Sequence, residues 1–105
     1  MKRGEVWLVS LDPTVGSEIQ KTRPCVVVSP PDLLDQIRTV IIVPLTTGNR
    51  PAPFRVSTRF QRREGLALPE QVRTIDKSRL VRRLGTVDDL ALAAILKMLR
   101  SFFTE

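Results

Sequence analysis

Glu5-Val6-Trp7-Leu8-Val9-Ser10-Leu11 is the stretch on which the fold turns. Along an extended backbone its side chains alternate, Val6 and Leu8 to one side and Trp7, Val9 and Leu11 to the other. Both sides are apolar, so the strand takes cover on both faces. Pro13 and Gly16 then break the pattern, and a long loop runs to Thr22 before apolar residues resume. Loops of this kind often carry function.

Beyond the loop, residues 25–29 read as a buried strand, and Pro30-Pro31 stop it because neither proline can donate to a ladder. Residues 39–43 form a third strand by the same reasoning, ending near Pro44-Leu45-Thr46-Thr47-Gly48-Asn49. Residues 32–37, between them, fit either a helical turn or a loop. Residues 54–60 set Phe54, Val56, Thr58 and Phe60 against Arg55, Ser57 and Arg59, a half-exposed strand presenting arginines. Residues 66–68 and 72–75 give two more short strands around Pro69, and residues 80–84 lead into the last element.

Thr86, with Asp89 three residues on, resembles a capping box and starts a helix at Val87. Leu90, Ala91, Ala94, Ile95, Met98, Leu99, Phe102 and Phe103 then recur at helical spacing, a wide stripe that packs on the sheet and leaves any remainder to a dimer contact. The expected architecture is α+β, mainly β: one domain over residues 1–105, a small twisted antiparallel sheet of five to seven strands curled into a partly open barrel, with a C-terminal helix.

Composition narrows the function. No apolar run approaches the roughly 20 residues that cross a bilayer, and the amino terminus lacks the segments of a secretory signal, so a cytoplasmic protein is expected. Cys25, the single cysteine, sits beside three valines; it has no partner for an internal disulfide and reads as a small apolar core residue. Lys and Arg number 17 against 11 Asp and Glu, a formal charge of +6 that points to a polyanionic partner. Arg50, Arg55, Arg59, Arg62 and Arg63 follow one another with no acid before Glu64.

The chain has no His and no Tyr, which removes the imidazole pair of many ribonucleases and the histidine of a serine triad. Carboxylates alone, without a repeated acidic motif, make a metal cluster hard to build, and no cofactor fingerprint is present. Catalysts must come from Arg, Lys, Glu, Asp, Ser or Thr. RNA suits so limited a set because its 2′-hydroxyl is a built-in nucleophile that needs orientation and charge stabilisation at the phosphate. Arginine matches phosphate bidentately, and a threonine hydroxyl donates one more bond. Arg23, at the entry to the second strand, and Thr46-Thr47, at the end of the third, are brought together if those strands are neighbours.

Three quoted stretches resemble the MazF/PemK toxins: Lys2-Arg3-Gly4-Glu5-Val6-Trp7, then Leu11-Asp12-Pro13-Thr14-Val15-Gly16-Ser17-Glu18, then Thr22-Arg23-Pro24. The resemblance resumes at Val43-Pro44-Leu45-Thr46-Thr47, at Gly65-Leu66-Ala67-Leu68, at Glu70-Gln71-Val72-Arg73-Thr74-Ile75-Asp76 and at Leu84-Gly85-Thr86. It implies the small toxin barrel of the CcdB/Kid/PemK superfamily, a homodimer, and metal-independent cleavage of single-stranded RNA to a 2′,3′-cyclic phosphate and a 5′-hydroxyl. Its catalytic residues fall on Arg23, Thr46 and Glu18. Gln71 and Arg73 fall near the RNA groove, where Thr47, Arg50 and Arg55 complete the expected RNA-binding set. A guanidinium is a poor base at neutral pH, so Arg23 is expected to clamp phosphate and stabilise the transition state. Trp7, Phe54 and Phe60 are candidates for base stacking, against packing in a core or dimer.

The same resemblance implies an acidic, MazE-like antitoxin as partner, and an antitoxin-bound form that reaches operator DNA through the antitoxin. Two rivals stand beside it: a CcdB-like toxin that binds DNA gyrase without cutting RNA, and a passive nucleic-acid-binding barrel. The stretch Ile19-Gln20-Lys21 departs from many members of the MazF/PemK family, and residues 50–63 have their own length and content; those loops are where such toxins differ in target.

Overall fold

The computed structural model describes residues 1–48 and 50–105. Asn49, the last residue of the segment expected to close the third strand, lies outside the described residues. Seven strands run β1 (Glu5–Ser10), β2 (Thr22–Val27), β3 (Thr39–Thr46), β4 (Val56–Phe60), β5 (Arg63–Ala67), β6 (Arg73–Asp76) and β7 (Leu80–Thr86). A single helical turn, α1 (Pro31–Leu34), links β2 to β3, and α2 (Asp89–Phe102) closes the chain. The sheet is antiparallel in the order β4-β5-β3-β2-β1-β7, with β6 also on β3. This is the mainly β, curled sheet with a C-terminal helix that the sequence led us to expect. Among the described residues no helix is long and apolar enough to cross a membrane.

Alternation sorts the strands onto two cores. Val6, Val26, Val28, Val43 and Leu45 face a core closed by α2, while Val9, Leu11, Cys25, Val27, Val40 and Ile42 face a second core closed by Leu34 of α1 and Ile19 of the long loop. Trp7 packs against the second core, and its indole N–H donates to Glu5 at 3.0 Å. Arg83 of β7 pairs with the same carboxylate at 3.2 Å, latching β1 to β7. Burial pushes the Glu5 carboxyl up, yet the Trp7 donor, the Lys2 backbone, the amino terminus and Arg83 outweigh it and hold Glu5 below its ordinary value.

The third strand runs through Pro44 and ends at Thr46, inside the segment expected to close it. In an antiparallel strand a residue's N–H and C=O point the same way. The Pro44 carbonyl accepts from Leu68 N at 2.9 Å, so its missing N–H is on the flank where β6 has ended and β5 takes over, and no ladder bond is lost toward β2. The fourth strand begins at Val56, not Phe54, because Pro53-Phe54 form a turn in which Arg55 N bonds to Ala52 O.

The helix begins at Asp89, capped by Asp88, whose carboxylate accepts from Ala91 N at 2.7 Å. Thr86 cannot cap it, being paired with Glu5 as the last residue of β7. The apolar stripe is also rotated. Ile95 is fully buried, worth about 1.5–3 kcal/mol, and Ala91, Leu92, Leu96, Met98 and Leu99 pack around it, whereas Leu90, Ala94, Phe102 and Phe103 are exposed. Apolar residues cover so much of this helix that spacing alone did not show which face turned inward.

Candidate active site

The β2–β3 ladder stops where proline removes its donor. Val28 N donates to Ile41 O at 3.0 Å, and hydrogen-bonded pairs alternate along an antiparallel ladder, so the bonding positions on β2 are residues 28, 26 and 24. Residue 24 is proline. The register sets Val26 opposite Val43 and Cys25 opposite Pro44, and carried two residues further it sets Arg23 opposite Thr46. The seam left unpaired beyond Pro24 is therefore flanked by a guanidinium and a hydroxyl.

Both groups are held with donors to spare. Arg23 is anchored by pairing with Val9 and by its Nε, which donates to Gln20 O at 3.1 Å. Among the described residues no carboxylate pairs with it, leaving its terminal nitrogens for an outside anion. Thr46, only 8% exposed, accepts from Gly48 N at 3.2 Å through Oγ1, so its own O–H proton remains free to donate. Beside it Gly65 lies so close that a β-carbon there would sit 2.7 Å from the Thr46 carbonyl oxygen.

Arg23, Thr46 and Thr47 line one pocket of about 210 Å³, together with Thr58, Phe60, Gln61, Arg63, Glu64 and Gly65. The far wall is the β4–β5 hairpin. Its two-residue tip, Gln61-Arg62, holds both residues at positive φ (52° and 63°), as a tight right-twisted hairpin requires. Phe60 sits against Gly85, where a β-carbon would be 3.2 Å from the ring, and Gln61 Nε2 reaches Leu84 O at 3.4 Å, so the hairpin tip leans onto β7.

The remaining expected site residues lie elsewhere. Glu18 accepts from Val15 N at 2.7 Å within the long loop. Gln71 accepts from Ile19 N at 3.0 Å and donates to Ser17 O at 3.2 Å, and Arg73 donates to Leu11 O at 3.2 Å. These three side chains strap down the loop that leads to Arg23. Arg55 is ion-paired with Glu70 at 2.9 Å, stacks over Phe54 at 5.3 Å and donates to the Arg50 carbonyl at 2.8 Å. Arg50 itself is exposed on the segment before β4.

Sequence reasoning left out Thr58, Gln61, Arg63, Glu64 and Gly65. The strand parity that paired Thr58 with Phe60 was the available signal for one of them. The hairpin gave none, since Gln-Arg lacks the Gly or Asn that marks such a turn. Cys25, fully buried beside the seam, has its thiol pushed up to about 12 by burial, with Arg73 pulling the other way. Among the described residues no group of three His, Cys, Asp or Glu side chains could hold a metal.

Taken together, these features define a small basic β half-barrel whose open strand seam offers hydrogen-bond donors to an anion. Residues 2–103 match the PemK-like, MazF-like toxins of type II toxin–antitoxin systems, and the chain belongs to that family. It is 41% identical over 110 residues to the endoribonuclease PemK of Escherichia coli, covering 99% of this chain and 83% of that protein. It is 36% identical to endoribonuclease MazF9 of Mycobacterium tuberculosis, covering 95% and 93%. In fold it is similar to MazF of Deinococcus radiodurans (TM-score 0.88, 24% identity, 98% of this chain and 96% of that one). A mycobacterial endoribonuclease solved in complex with its cognate antitoxin shares the fold as well (TM-score 0.82, 23% identity, 98% and 94% covered).

Proposed function

We propose that this chain is a toxin endoribonuclease that cuts single-stranded RNA at selected sequences, without a metal, leaving a 2′,3′-cyclic phosphate and a 5′-hydroxyl. The observation that carries the reading is the pocket shared by Arg23 and Thr46 at the unpaired end of β2 and β3. The names of the PemK and MazF9 relatives support the activity. Arg23 clamps the scissile phosphate and stabilises the charge that builds on it, and the Thr46 hydroxyl donates to the same group. Thr47 and Arg50 contact the flanking strand. Glu18, Gln71, Arg73 and Arg55 act at one remove, by holding the loop and turn that shape the groove.

Partner chemistry follows from charge. At +6 the surface suits RNA, and equally an acidic antitoxin segment that folds as it binds. The antitoxin complex among the similar structures supports such a partner. Exposed Leu90, Phe102 and Phe103 support a homodimer. The working compartment is the cytoplasm, and operator DNA is reached through the antitoxin.

The test is cleavage of a defined RNA pool by the purified protein in EDTA, with the new ends mapped. Cyclic-phosphate ends at a recurring sequence are expected from the wild type. Arg23→Ala should lose about 10²-fold or more in rate with stability held within about 1 kcal/mol. Intact RNA under these conditions would favour a gyrase-binding toxin or a passive binder instead.

A further inference from the structure

We infer that Glu64 is the general base of the reaction, taking the proton from the 2′-hydroxyl as that oxygen attacks the phosphate held by Arg23 and Thr46. This rests on the nuclease reading above and deepens it. The pocket is lined by Arg23, Pro24, Leu45 and Thr46 on one side and by the hairpin on the other, and among the described residues that line it only Glu64 carries a carboxylate. Arginine is permanently protonated, threonine and glutamine are far too weak as bases, and the other lining groups are apolar. With no histidine anywhere in the chain, the choice among lining groups is a single residue.

The setting of Glu64 argues against a purely electrostatic use. It stands opposite Arg59 in the hairpin register and next to Arg63, yet among the described residues it makes no ion pair and no side-chain hydrogen bond. Glu64 is exposed, so its carboxylate is open to a bound strand and not committed to a protein partner. Gly65 next to it brings the hairpin backbone onto the Thr46 carbonyl, so Glu64 stands one residue from the contact between the hairpin and β3. Glu18 does not line this pocket.

The step balances without any added oxidant or metal. The 2′-oxygen forms a bond to phosphorus as its proton passes to Glu64. The bond from phosphorus to the 5′-oxygen breaks with its electron pair on that oxygen, which takes a proton from solvent water, and the proton held by Glu64 then passes to the hydroxide so formed and frees the carboxylate for the next turnover. Charged groups around Glu64 are Arg23 from β2, Arg59 from β4, Arg63 on its own strand, and Asp88 at the start of α2, which shares the adjoining groove.

The test is single-turnover cleavage of a defined RNA by wild type, Glu64→Gln and Glu64→Ala between about pH 4 and 8. The wild-type rate should climb with pH, as general-base catalysis requires. Both variants should lose that limb and about 10²–10⁴-fold in rate, while binding of the 2′-deoxy version of the same strand is unchanged and formate partly restores Glu64→Ala. Glu64→Gln that keeps the wild-type rate or its pH limb overturns the assignment, and so does loss of 2′-deoxy strand binding in step with rate. If the wild type itself leaves RNA uncut, the nuclease reading fails and the base falls with it, a result distinct from an active wild type with an active Glu64→Gln.

Discussion

Residue 65 faces Thr46 so closely that a β-carbon on it would stand 2.7 Å from the Thr46 carbonyl oxygen. Because that atom is backbone within the β3–β5 pairing of Thr46 with Leu66, it cannot swing aside as a flexible side chain would. Gly65→Ala should therefore displace the strand that carries the Thr46 hydroxyl. A cost of about 1–3 kcal/mol in stability is expected for such overpacking, with RNA cleavage reduced about 10²-fold through misplacement. Thermal melting and cleavage rate measured on the same preparation check both, and an unchanged rate would show that the seam tolerates the shift.

The two candidate caps of α2 are separable by mutation. Asp88→Ala should cost about 1 kcal/mol by stripping the bond to Ala91 N. Thr86→Ala should stay within about 0.5 kcal/mol, as an exposed residue paired only through backbone. Denaturant unfolding of the two variants gives the comparison directly; equal losses would put the cap elsewhere.

Gln61 and Arg62 occupy left-handed backbone that favours Asn and Gly. Replacing the pair by Asn-Gly should raise stability by about 0.5–1 kcal/mol by relieving that strain. Since Gln61 lines the pocket, RNA cleavage should fall in the same variant. A melting temperature that drops would show that the Gln61 contact with Leu84 outweighs the backbone relief.

Cys25 predicts an alkaline weakness. Its thiol, about 9.0 in an unfolded chain, is raised to about 12 in the fold, so the stabilisation is complete below pH 9 and is lost as pH rises toward 12, while the unfolded chain alone ionises. The slope is at most roughly 1.4 kcal/mol per pH unit. Cys25→Ala should be less stable at pH 7 from lost packing but should close part of the gap with wild type between pH 9 and 10. The native thiol should also resist a thiol reagent at pH 8 until the chain unfolds; rapid labelling would contradict its burial.

Much of the architecture is written locally. Val6 against Val9, Val26 against Val27 and Val43 against Ile42 alternate because successive side chains leave a strand on opposite sides, and burial acts on each residue separately. The same local logic made Cys25 a core residue, gave the surface its positive charge, and left a histidine-free chain with Arg, Lys, Ser, Thr and carboxylates as its candidate catalysts. Resemblance to the toxin family then singled out Arg23 and Thr46.

Pairing between distant strands decided the rest. Pro44 is tolerated in β3 only because its flank passes there from β6 to β5, and Pro24 opens the seam only because the ladder phase makes it a bonding position. Nothing near Gln61-Arg62 in sequence announces a tight turn, yet that hairpin carries Glu64 and Gly65 to the Arg23 side of the sheet. Which stripe of α2 turned inward was likewise set by the sheet it met. Composition and alternation settle what each residue prefers; register and closure, which join residues far apart in the chain, settle what it touches.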